Sequence, residues 1–172
     1  MNETSGNERY RALRILALAL CAALGFIGVA LYFAMGTTED GMANPPVWVP
    51  LAQVFGAFVI LVLVETVGYR TAAAEGGDTQ IVGNSSAMAY QSAMILRFAL
   101  CESLAIVSIA LAFVVIPNTF LTYVYGGLLS LALMLFAVVP NKRSLSKTEA
   151  SLERDGRPSY LREAFDLAGS LR

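Results

Sequence analysis

At 172 residues, with 56 % hydrophobic and 15 % charged residues, the chain has too little polar surface to cover an ordinary soluble domain. It reads as an integral membrane protein whose formal net charge of -1 matters less than where the charges fall. Histidine is absent, which removes the commonest general base and the commonest metal or haem ligand, so neither catalysis nor a metal or other cofactor is expected.

Residues 1 to 8 are polar and are expected to be mobile, giving a short N-terminal segment over 1–14. Arg9, Arg11 and Arg14 precede the first apolar run, 15–35, and mark a cytoplasmic flank. That run is too long for the apolar part of a typical signal peptide, so it is expected to be retained as a first span. Ala17, Cys21, Gly25 and Gly28 place small residues along one side of it, where another helix can approach. Cys21 and Cys101 both lie in apolar runs without CxxC spacing and read as packing residues.

The loop Gly36 to Pro46 holds Glu39 and Asp40 with no basic residue, and belongs outside. Trp48 opens the second span, 47–69, where an indole can sit among headgroups. Pro50 falls in its first turn, where a missing amide hydrogen costs little. Glu65 lies about five residues before Arg70, which marks the cytoplasmic exit.

Residues 71 to 86 form a polar connection in which Gly83-Asn84 reads as a turn, with a serine cap opening the third span, 87–116. This span carries two ions. With the hydrocarbon starting near Met94, Arg97 is about one turn deep and its stem can return the guanidinium to water. Glu102 is about 12 Å deep on a short side chain, where an isolated carboxylate is expected to find a donor or hold its proton. Glu65 should match the depth of Arg97, so a Glu65–Arg97 pair is expected, with Arg70 or interfacial water as alternative partners for Glu65.

Pro117-Asn118-Thr119 makes a tight turn into the fourth span, 120–139. Ser130, about 14 Å from its cytoplasmic edge, is a candidate partner for Glu102, the alternative being its own helix carbonyl four residues back. The tail, 141–172, suggests a helix from about 146 to 154, a break at Asp155-Gly156, and a second helix starting at Pro158-Ser159. Leu161 and Phe165 share a face of the latter that suits a membrane or partner surface, or stays solvated.

All 12 Lys and Arg residues lie on or near the predicted cytoplasmic side. The expected fold is therefore all-α: a four-transmembrane-helix bundle over 15–140, made of two antiparallel hairpins, with both termini cytoplasmic and an amphipathic tail. The scarcity of lysine beside abundant alanine and leucine fits a GC-rich bacterium, hence the bacterial inner membrane.

The run Ala99-Leu100-Cys101-Glu102-Ser103-Leu104-Ala105-Ile106, continuing through Ala112-Phe113, resembles the carboxylate-bearing helix of the proteolipid c subunits of rotary ATP synthases. The resemblance spans residues 92–116 and implies a helical hairpin with a cytoplasmic loop, in which Glu102 carries the translocated proton. Departures are visible too: Val47 to Tyr69 holds only Gly56 and Gly68 in place of a glycine ladder, and the loop reads TAAAEGGDTQ.

Two functions follow as expectations. One is a non-catalytic accessory subunit of a respiratory or transport complex, with Arg97, Glu65, Glu102 and Ser130 as a buried polar network and with lipid, other subunits or its own copies as partners. The other is a proton-translocating proteolipid or oligomeric transporter. No nucleic-acid partner is indicated.

Overall fold

The computed structural model describes residues 4–72 and 77–165, and the described chain is all-helical. The helices are α1 (Thr4–Leu31), extended by a π-helical segment at Tyr32–Gly36, then α2 (Trp48–Thr66), α3 (Thr79–Val114), α4 (Phe120–Ala137), α5 (Lys142–Leu152) and α6 (Leu161–Ala164). Four of them are long and apolar enough to cross a membrane. One end of the bundle carries Arg9, Arg70, α5 and α6 and is called the basic end; the other, with Glu39 and Asp40, is the acidic end.

The packing differs from two simple hairpins. The core is formed by α2, α3 and α4, each against both others, and the chief neighbour of α1 is α4 rather than α2. Small residues set these approaches. A Cβ at Gly28 would meet the Tyr123 ring at 3.2 Å, and the Tyr123 hydroxyl donates to the Leu24 carbonyl at 2.7 Å, fixing α4 to α1. A Cβ at Gly126 would lie 1.7 Å from Ser108 Oγ, so the Ser108 side chain of α3 sits directly against the α4 backbone there. Cys21 and Cys101 are free and buried.

At the acidic end one residue joins two loops. Thr119 caps α4 by accepting from the Leu121 amide, and its hydroxyl donates toward the Gly41 and Ala43 carbonyls at 3.2 and 2.6 Å. The Phe120 amide donates to Gly41 as well, at 2.9 Å.

Helix boundaries shift from expectation where polar side chains act as caps or glycines allow contact. The first helix starts at Thr4, so Arg9, Arg11 and Arg14 lie on α1 rather than ahead of it. The third starts at Thr79, capped by Asp78, and the serines expected to cap it lie inside it, Ser85 bonding back to the Val82 carbonyl at 2.9 Å. Gly83 is therefore helical. Its missing side chain admits α6: a Cβ there would meet Ala164 Cβ at 3.4 Å and the Tyr160 carbonyl at 3.6 Å.

In the tail, α5 begins at Lys142 because Asn141 and Ser144 form a reciprocal cap, each side chain accepting from the other's amide at 2.8 and 3.1 Å. The break comes at Gly156, whose φ of 76° suits a residue without Cβ. Leu161 and Phe165 turn inward onto their own bundle, 0 % and 1 % exposed, and the Phe165 ring sits edge-on to Tyr10 and Tyr90. Part of the second tail helix expected from the sequence, including Leu167, lies outside the described residues.

Candidate functional site: a sealed cation and an open carboxyl

Arg97 is fully buried near the middle of α3, level with the turn that follows α2. Its Nε donates to the Ala93 carbonyl one turn back, at 3.1 Å, and its Cζ lies 4.4 Å from the centroid of the Tyr69 ring and 5.7 Å from that of Tyr90. The electron-rich ring faces stand where a counter-ion would otherwise be needed. Nη1 and Nη2 are buried with no hydrogen-bond partner among the described residues. Gly68 makes the geometry possible, because a Cβ there would come within 2.7 Å of Arg97 Cγ.

The stem thus turns toward the basic end, as expected, yet the guanidinium does not reach water. The tail covers it. Tyr90 exchanges a 3.0 Å hydrogen bond with Ser144 of α5, and Lys147 of α5 stands 5.1 Å from the Tyr69 ring centroid.

Glu65 is not the partner of Arg97. It accepts from Arg143 Nη2 at 2.7 Å and from Lys147 Nζ, both on α5. The reason is solvation. At this end of α2 the carboxylate keeps 28 % of its side-chain surface exposed, so it gains two charge-assisted bonds without being stripped of water beside Arg97. Helix α5 carries a second clamp, in which Arg162 of α6 bonds both Glu149 oxygens at 2.8 to 3.0 Å, raising the Arg162 pKa above its usual value.

Glu102 lies one turn and a residue beyond Arg97, rotated to the side of α3 that also bears Asn84, Gln91 and Ile95. It is only partly buried and has no hydrogen bond or ion pair among the described residues. Ser130 is not bonded to it. The Ser130 hydroxyl donates across the helix interface to the carbonyl of Cys101, the preceding residue, at 2.7 Å, which also sets aside the bond to its own helix.

So the structure does not join the four residues singled out from the sequence into one network. Arg97 is held by aromatic rings, Glu65 by α5, Ser130 by α3 backbone, and Glu102 by nothing in the described chain. A polar cluster that sequence reasoning missed lies nearer the acidic end: Gln53 Nε2 donates to Ser108 Oγ at 3.0 Å and to the Thr122 carbonyl at 2.8 Å. The signal for it was present, since an amide inside the apolar run of α2 needs partners as surely as a charge does. Tyr90, seven residues before Arg97 on the same side of α3, was equally readable.

No group of three or more metal-ligating side chains occurs among the described residues. No protein-family model, curated protein or solved structure matches the chain.

Proposed function

We propose that the protein is a non-catalytic accessory subunit of a larger assembly in a bacterial inner membrane, with both termini on the cytoplasmic side. The orientation rests on the basic end, which gathers the Lys and Arg residues while the loops at the acidic end have none. The observation that carries the assembly role is Glu102. A carboxyl on the flank of a membrane helix, partly exposed and without a donor among the described residues, is completed by a donor from a neighbouring subunit. The fold around it is already closed by its own contacts, so the open acid is a feature of the surface rather than of the core.

The test is purification from the native membrane in mild detergent. Wild type retains a partner chain in fixed stoichiometry, and Glu102→Leu loses it while its own thermal unfolding changes little. Retention of the partner by Glu102→Leu, or absence of any stoichiometric partner from wild type, rejects the reading.

A second reading is favoured by the same lack of an ion pair: a carboxyl not locked to a cation is free to exchange a proton, as the resemblance to proteolipid c subunits implies for Glu102. A hydrophobic carbodiimide separates the two, since it modifies a protonated carboxyl in an apolar setting. Labelling of Glu102 with loss of proton flux and intact assembly supports the carrier. Inertness in the assembled complex supports the donor-bound subunit.

A further inference from the structure

The basic end of the bundle has a groove between α1 and α3, with a volume of about 410 Å³. Arg9 and Asn84 stand at its mouth, where Arg9 Nη1 donates to Asn84 Oδ1 at 2.7 Å. Leu13, Leu16 and Met88 form its wall, with Gln91 among them. Because α1 and α3 run in the same direction, these residues fall into levels. Arg9 and Asn84 are outermost, Leu13 and Met88 come about 6 Å further in, and Leu16 with Gln91 about 10 Å in.

A guanidinium above an apolar wall matches the polarity order of a glycerophospholipid, with the phosphate outermost and the acyl chains further in. We propose that this groove binds one anionic phospholipid. Its phosphate takes the Arg9 donors not used by Asn84 and the Asn84 amide nitrogen. The apolar part of the lipid follows Leu13, Met88 and Leu16 into the bilayer.

Charge selects the occupant. Arg11 and Arg14 stand within about one and a half turns of Arg9 on the same helix, outnumbering Glu8 beside it, and no acidic side chain among the described residues lines the groove. The local field therefore favours a lipid of net negative charge over a zwitterionic one. The apolar wall favours a lipid over free phosphate, which has nothing to place against Leu13, Leu16 and Met88. Phe165 closes the groove on the tail side, so a bound lipid would also touch the segment that covers Arg97. The inference is independent of the assembly proposed for Glu102.

The test uses the full chain, delipidated in detergent and offered equal amounts of phosphatidylglycerol and phosphatidylcholine, with bound lipid counted by native mass spectrometry. Wild type is expected to hold one phosphatidylglycerol per chain with a preference of about fivefold, the effect of one well-placed cation. Arg9→Gln brings the preference close to parity, whereas Arg11→Gln, outside the groove lining, retains most of it. Met88→Trp fills the groove from a position 70 % exposed in the free protein and lowers retention of both lipids.

Equal retention of the two lipids by wild type overturns the proposal. So does a preference that survives Arg9→Gln and Met88→Trp, which would assign it to diffuse attraction by the basic end. Displacement of phosphatidylglycerol by millimolar inorganic phosphate would make this a free-anion site and would equally reject the lipid. Circular dichroism of each variant establishes that it is folded.

Discussion

Near the acidic end, Gln53 enters the bundle as a neutral amide and is held by direct bonds to Ser108 and to the Thr122 carbonyl; near the basic end, Arg97 enters as a cation and is held by the faces of Tyr69 and Tyr90. Both are buried to within 2 % of completeness, and both leave polar atoms without a partner among the described residues: Gln53 Oε1 in one case, Nη1 and Nη2 in the other. The contrast lies in what each arrangement tolerates. A hydrogen-bonded amide depends on bond lengths and so on close helix approach at Gly126, whereas a cation over rings depends on filled volume. The two clusters should therefore fail in different ways.

The largest effect is expected where volume is removed. Arg97→Ala empties the space between Tyr69 and Tyr90 and should cost roughly 2 to 5 kcal/mol, as other buried large-to-small changes do. Arg97→Met keeps the volume and removes the unbonded charge, and is expected to match wild type or exceed it in stability. Reversible unfolding in mixed micelles gives both values, and a Met variant as unstable as the Ala variant would mean that charge holds this cluster together.

Gly126→Ala comes next. Its Cβ would stand 1.7 Å from Ser108 Oγ and 2.9 Å from Gln53 Nε2, so α3 and α4 must separate at a cost of about 1 to 3 kcal/mol. Gly25→Ala is the matched control, with nothing within 4 Å of the added carbon. Equal loss in the two would remove close approach from the account.

Gln53→Leu should be milder, about 1 kcal/mol, because Ser108 keeps its own bond to the Leu104 carbonyl at 2.7 Å. The smallest effect belongs to Glu65→Gln. Its pairs with Arg143 and Lys147 are partly exposed, so global stability should fall by no more than about 1 kcal/mol. Hydrogen exchange in α5 should nonetheless quicken, since that carboxylate fastens α5 to α2. Unchanged exchange there would show that the Tyr90–Ser144 bond and the buried Leu145 and Leu152 hold α5 alone.

The apolar runs made four membrane-length helices legible, because hydropathy reports length and depth directly. Position along the helix axis was informative for some of the polar residues. Ser130 does meet α3 one residue from Glu102, and Arg97 packs beside Gly68 and Tyr69 in the turn that follows α2. Rotation about each helix axis was the missing quantity. A shift of one residue turns a side chain by about 100°, enough to send Ser130 to a carbonyl and Glu102 to the flank. Glu65 eluded the depth argument for another reason: its partners lie on α5, a short helix whose Asn141–Ser144 cap was not recognised. Gly83 was misread because glycine marks close approach as often as it marks a turn.

The Phe165 ring bears on Tyr10 of the first helix and Tyr90 of the third, and that contact orders events in time. Residues at the start of the chain leave the ribosome long before the segment that completes their packing. Until Leu161 and Phe165 emerge and fold back, the aromatic seat beneath them stays bare on a nascent bundle already threaded through the bilayer. A chain cut short after its last span would carry that bare aromatic seat permanently.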